Sequence, residues 1–349
     1  MKVSRESLLD SLRAVKPGLS ARPGVEQADC VLFGRGQART FNDHVYCAAR
    51  TPLGKDVRGA YLAGKILDVL DRIPDEELDV TQGNNCLLFR GKGRVSRASA
   101  QADAPGHFDL IDKPKDWKPL SDDFADAVGL VAECASPLEH LVTSFVHVTP
   151  GRLEAFDNKQ LIRFEVETGV DSPVLLKRNA IRHLTDLGAV EVSQTDHWVH
   201  FCNRDGNVLG ARRYAESFPD LSDGFRTRGG SRFVLPEGLD EAVKTCLVAC
   251  PPEGKDKPQF VMVRLSKNRL DVVGDSGSFA HRETREAEWD GPETYFLTFP
   301  KVLEELCRRT TECVLTSRSL VIDGGRWKYA VVLGEAGAFG GRYEELLRD

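Results

Sequence analysis

The 349-residue sequence has no apolar run near the roughly 20 residues that a membrane-spanning helix needs. Its N-terminus, MKVSRESLLDSLRAVK, carries charges throughout and lacks the apolar core of a secretory signal. No CxxC pair occurs. The nine cysteines (30, 47, 86, 134, 202, 246, 250, 307 and 313) are scattered and odd in number, which predicts reduced thiols in a reducing compartment and a cytoplasmic protein. Cys246 and Cys250, four apart on a predicted helix, read as two small buried residues. His197 and His200 lie three apart on a predicted strand and so on opposite faces, and no metal site is expected.

Signatures of catalysis are also missing. GRGQAR (34–39) and RGKGR (90–94) lack the spacing of a dinucleotide fingerprint or a phosphate-binding Lys-Ser/Thr loop, and both lie among strands. There is no GxSxG and no HExxH. GDSGS (274–278) resembles a serine-protease nucleophile loop, but it sits at a hairpin tip with no matching His and Asp framework. Asp122-Asp123 and Glu304-Glu305 read as solvated helix faces. No catalytic residue, cofactor or enzyme activity is expected. The balance of 47 basic and 53 acidic residues gives a net charge of −6, which excludes a protein that coats nucleic acid with its whole surface but not a local basic lining.

What the sequence does contain is a repeated hairpin. PGRLEAFDNKQLIRF (150–164) is two apolar–polar alternations around a polar tip. Similar text stands at GRGQARTFNDHVYCAAR (34–50) and KNRLDVVGDSGSFAHRE (267–283). Phe41 to Phe156 spans 115 residues and Phe156 to Val273 spans 117, a domain-sized period. Other elements recur with it. An amphipathic helix opens each segment, at 6–16, 122–135 and 237–249, each with apolar residues at i, i+3/i+4 and i+7. Ser121 reads as the second helix's N-cap and Pro236 suits the start of the third. A second helix follows each hairpin, at 61–72, 177–187 and 300–309. Strands then return at 76–91, 189–203 and 311–333. The fold class is therefore α+β, with three domains at 1–118, 119–230 and 231–349. The joins DKPKDWKPLS and DGFRTRGGS are polar or rich in Pro and Gly.

The order and spacing of these elements, together with LLKRNAIRHLTDLGAVEVSQTDHWVHF, the later FPDL (218–221), YFLTFPKVLEELCRRTTECVLTSRSLVI and the opening LLDSLRAVKPGLSARP, resemble the bacterial DNA polymerase III beta sliding clamp family over essentially the whole chain. The resemblance implies a DNA-clamp fold in which each domain packs two helices on antiparallel sheets. It implies a head-to-tail homodimer closed into a ring around double-stranded DNA without sequence specificity, and a role as a processivity factor. DNA polymerase and clamp loader would bind through short peptides. The setting would be the bacterial cytoplasm and nucleoid or an infected host cell.

A ring lining that faces phosphates should be basic without binding tightly. Counted together with Lys55, Asp56, Arg58 and Arg5 just ahead of them, the second helices carry ten basic and six acidic residues, a balance of +4, and the first helices four and nine, a balance of −5. The DNA-facing candidates are Lys65, Arg72, Lys177, Arg178, Arg182, Lys301 and Arg308. Arg22, in SARPG, matches the family's DNA-touching loop arginine; Arg94 and Arg97 are weaker candidates. The resemblance places a partner groove along Phe156, Asn158, Lys159 and Leu161 on one wall and Val331, Val332 and Leu333 on the other, with Leu175 and Leu176 as added apolar floor. It places the dimer contact near Leu87, Leu247 and Val248.

The sequence departs from the family at two points. FDNKQLI replaces the family's Thr-Asp-Gly-His-Arg run, and GEAGAFGGRYEELLRD (334–349) replaces a short Met-Pro-Met-Arg-Leu ending. Both suggest a divergent clamp, from a phage or other mobile element. Two alternatives stay open: a clamp-fold scaffold that binds proteins only, and an α+β enzyme with a dispersed site.

Overall fold

The computed structural model describes residues 1–20, 27–101, 108, 111–138, 141–251 and 259–334. Arg22 and the stretch 335–349 lie outside the described residues. The helices are α1 (Arg5–Val15), α2 (Ala63–Arg72), α3 (Phe124–Cys134), α4 (Arg178–Ile181), α5 (Leu184–Leu187), α6 (Leu239–Ala249) and α7 (Pro300–Arg309). Among them none is long and apolar enough to cross a membrane.

The helices follow from local chemistry. Ser4 caps α1 by accepting from the Ser7 N–H, and Leu8, Leu9, Leu12 and Val15 form its buried stripe. Pro300 opens α7, where a missing N–H costs nothing. Ser121 is not the N-cap expected of it. Its Oγ accepts from Asp123 N at 3.4 Å in the turn before α3. Pro236 likewise stands just ahead of the Gly238 cap of α6. The helix expected at 177–187 is two four-residue pieces, α4 and α5, around a turn at Arg182–His183. Asn179, His183, Thr185 and Asp186 are weak helix formers and leave this segment little propensity of its own.

The chain forms two compact units: residues 1–125, 169–171 and 183–214, and residues 126–168, 172–182 and 215–349. In the first, an eight-stranded antiparallel sheet joins the hairpin Gln37–Phe41/Val45–Arg50 to the strands Val208–Arg212, Trp198–Cys202 and Glu191–Gln194, with Val45 opposite Ala211. A four-stranded sheet, Lys2–Ser4, Glu77–Gly83, Cys86–Gly91 and Arg94–Ser99, accompanies it. In the second unit, a twelve-stranded sheet runs from Val174–Lys177 through Phe145–Thr149, Arg152–Phe156 and Gln160–Glu165 to Trp327–Gly334. From there it continues to an edge at Ala280–Glu286. Each large sheet is thus closed by strands more than 150 residues apart in sequence, which local pattern cannot show.

Two buried ionic centres hold the second unit's hairpins. Asp271 is fully buried. Arg264 donates to its Oδ2 through Nη2 and Nε at 2.6 and 2.9 Å, and Arg269 Nε and Thr284 Oγ1 donate to Oδ1 at 2.9 and 2.7 Å. Glu154 stands 117 residues earlier at the matching hairpin position, 2 % exposed. It meets His147 Nδ1 at 3.1 Å, Arg163 Nη2 at 2.7 Å and Arg152 Nε at 3.2 Å. Burial pushes the Glu154 pKa up, but the hydrogen bonds from His147 and Arg163 and the arginine charges outweigh it and hold the carboxyl below its ordinary value.

In the first unit, His200 is completely buried on the strand Trp198–Cys202, while His197 on the other face is open and paired with Asp112. Burial pushes the His200 imidazole down to about 4 against the raising influence of Asp112. The unfolded chain binds the proton near pH 6.5 and the folded chain does not, so stability falls as pH drops from about 6.5 toward 4, by about 1.4 kcal/mol per pH unit. Urea unfolding at pH 7.5 and pH 5 should show this loss, and a His200→Leu variant should lose about 2 kcal/mol less over that interval. An equal acid loss in the variant would place the sensitivity elsewhere.

Candidate functional site: an apolar slot and two open edges

The groove grows out of strand register in the second unit. Phe156 stands opposite Leu161, and Leu161 opposite Ala330. Side chains alternate across a sheet, so Phe156, Leu161, Ala330 and Val332 share one face. The other face carries Gln160, Ile162, Tyr329 and Val331, all buried. The loop between Ala215 and Phe225 covers part of the first face. Phe218 stacks on His147 at 4.7 Å between ring centroids and meets Phe156 edge-on at 5.3 Å. Phe225 lies under the Arg163 guanidinium at 5.4 Å. Gly224 comes so close to Leu161 that an added Cβ would lie 2.7 Å from its Cδ2 and would push the leucine side chain aside. What stays open is a slot whose walls are Phe156 and Leu161, both half-buried, and Val332, 52 % exposed. Asn158 is exposed at the tip. Lys159 reaches over the Phe260 ring at 4.2 Å, and its carbonyl accepts from Val332 N at 2.7 Å.

Some expected groove residues are not on the open face. Val331 and Leu176 turn into the core because they are one register step out of phase, at 0 % exposure each. Leu175 shares the open face but is buried beside His147, across the strands from Val332. Leu333 is half-buried and pairs with Phe296. The loop 215–225 was absent from the expected groove. Its aromatics flanking Pro219 and Asp220 were the available signal.

Beneath the slot lies a buried polar knot. Thr298 Oγ1 is 2.8 Å from the Tyr329 hydroxyl, and both donate to Gln160 Oε1, at 3.1 and 2.7 Å. Burial raises the Tyr329 pKa well above its ordinary value, so the phenol keeps its proton. Tyr329→Phe removes the Gln160 oxygen's shortest donor and should cost about 1–3 kcal/mol in urea unfolding. A change within a few tenths of a kcal/mol would show that the knot is replaceable.

The basic candidates divide. Lys65, Arg72, Arg182 and Lys301 are exposed. Arg308 is exposed but held by Glu304 and Glu305 at 2.5 and 3.0 Å. Lys177 and Arg178 do not face solvent, a correction to their expected place on a DNA-facing surface. Lys177, 8 % exposed, donates to Ser144 Oγ at 3.1 Å and lies over the Phe145 ring; Arg178, 5 % exposed, donates to Ala132 O and Glu133 at 2.9 Å each. Several of the acids counted on the opening helices are paired with cations, two on neighbouring helices and two on their own: Asp126 takes both terminal Arg309 nitrogens at 2.6 Å and Glu133 takes Arg178, while Glu6 takes Arg13 and Asp240 shares Lys244 with Glu304. These paired acids contribute crosslinks rather than a repelling field.

The expected dimer residues also divide. Leu87 is fully buried on an inner strand paired on both sides, so it is no edge. The edge is its neighbour Arg94–Ser99, with Val95 64 % exposed. A groove of about 270 Å³ lies between that edge and α2, walled by Leu62, Ile66, Val69, Phe89 and Ala98. On the second unit, Val248 is 82 % exposed on α6, Leu247 is half-buried and the edge Ala280–Glu286 is unpaired. No group of three or more metal-ligating side chains occurs among the described residues. Cys246 and Cys250 are buried, their Sγ atoms donating to the Val272 and Phe260 carbonyls at 3.2 and 3.3 Å.

No family model and no curated protein matches the sequence. Solved structures do match its fold. A DNA polymerase III beta subunit from Thermotoga maritima superposes with a TM-score of 0.71 at 15 % identity, over 96 % of this chain and 99 % of that one. The fold is that of the DNA polymerase III beta subunits. The Pseudomonas aeruginosa subunit gives 0.69 at 16 % identity, and a Helicobacter pylori beta clamp solved with a DNA ligase peptide gives 0.68 at 15 %, each with the same coverage of both chains. The clamp fold thus extends over nearly the whole of this chain and of each relative.

Proposed function

We propose that this protein is a DNA sliding clamp: a homodimeric ring of three-domain chains that encircles duplex DNA and tethers a polymerase, and that is not an enzyme. The observation that carries this reading is full-length likeness, 96 % of this chain on 99 % of DNA polymerase III beta subunits. The paired helix charges fit it. Exposed cations such as Lys65, Arg72 and Arg182 would touch phosphates only weakly against the chain's net charge of −6, so the protein would hold DNA mainly by enclosure and would slide. Partners, including polymerase and clamp loader, would bind the slot at Phe156, Leu161 and Val332. The Helicobacter relative was solved with a DNA ligase peptide, and an apolar slot with a polar rim suits such a ligand.

Ring closure would set the Arg94–Ser99 edge and the α2 groove of one protomer against the Ala280–Glu286 edge and Val248 of the other. An unpaired edge on each side can extend a sheet across the contact, and arginines at 94 and 97 would face Glu283 and Glu286. Primer extension by the cognate polymerase with its clamp loader tests the function. Added protein should lengthen each run of synthesis, and unchanged run lengths would overturn the proposal.

A further inference from the structure

The geometry points to an internal occupant for the partner slot: residues 335–349 of the same chain. This rests on reading the slot as a peptide groove. The described chain leaves the sheet at Gly334, two residues beyond Val332, which is itself a wall of the slot. The next 15 residues, EAGAFGGRYEELLRD, begin with an Ala/Gly-rich stretch and carry the apolar side chains Phe339, Tyr343, Leu346 and Leu347 as anchors. Leu346 is 12 residues past Gly334, which gives a reach of up to about 40 Å, enough to fold back on its own strand. Charge favours the return. The segment has four acidic and two basic side chains, a balance of −2, while the slot's rim carries Lys159 and exposed Arg318, whose carbonyl accepts from Leu333 N; Arg163 nearby is already held by Glu154.

A tether this short gives the segment an effective concentration on the order of 1 mM at the slot. Partner peptides of micromolar affinity would still displace it, but with apparent affinity lowered at least tenfold, and weak binders would be excluded. The segment would therefore set a threshold for access to the clamp.

The test uses full-length protein and a fluorescent synthetic peptide of sequence EAGAFGGRYEELLRD, read by polarisation. The peptide should bind the double variant Leu346→Glu/Leu347→Glu at least tenfold more tightly than wild type, because only the variant leaves its slot open. Adding Val332→Glu, at an exposed position that the fold tolerates, should abolish that binding. Equal affinity for wild type and the double variant, no binding to either, or binding insensitive to Val332→Glu would each overturn the inference. A photocrosslinker in place of Leu347 should join residues near 156–161 or 332 within a single chain, and crosslinks elsewhere would likewise overturn it. Primer extension separates the two readings: if the peptide results hold while run lengths stay unchanged, the docking stands and the clamp function falls.

Discussion

Replacing Asp271 with Ala should lower the protein's stability by about 3–5 kcal/mol, enough to shift its urea midpoint severely. The carboxylate is fully buried and takes three arginine nitrogens and one hydroxyl. Its loss takes the buried counter-charge from the Arg264 and Arg269 side chains, 12 % and 24 % exposed, and leaves Arg264 the longer 3.5 Å contact with half-exposed Glu293. Glu154→Ala should cost less. One of its partners, Arg152, is 40 % exposed and can turn to solvent. The order of the two effects tests the burial argument: a larger loss at Glu154 than at Asp271 would contradict it.

Val248→Asp should convert the protein from a species of about 77 kDa, twice the 38.6 kDa chain, to single chains. Val248 is 82 % exposed, so the substitution leaves the fold alone. In the proposed contact it would bury an unpaired carboxylate against an apolar groove, at a cost of about 3 kcal/mol or more, roughly a hundredfold or greater loss of dimer affinity. Val69→Asp on α2 should act from the other side of the same contact. A native mass spectrum in which Val248→Asp remains dimeric would show that the ring closes elsewhere.

The fold was legible because period is robust. The three hairpins lie where the alternation puts them, and α1, α2, α3, α6 and α7 lie within about two residues of their expected bounds. The buried centres could also have been found. Glu154 and Asp271, Arg152 and Arg269, and His147 and Arg264 are each 117 residues apart, the repeat's own offset. Burial of individual charges was not legible. Lys177 ends the strand Val174–Lys177, where every residue is buried, yet a Lys-Arg pair opening a helix reads as solvated until its place in the sheet is known. The same limit affected Leu87, which is apolar on a strand whether that strand is inner or edge. The loop 215–225 has no periodicity at all, and only register with strands 60 or more residues away reveals what it covers.

The central claim is enclosure, and topology tests it most directly. The protein should be loaded by its clamp loader onto a nicked circular plasmid, washed at high salt, and the plasmid then cut once with a restriction enzyme. Phosphate contacts weaken steeply with salt, whereas a closed ring does not depend on them. The account predicts that the protein stays with the circle through the wash and leaves when the DNA is cut. Loss from the intact circle at the rate seen from linear DNA would contradict it.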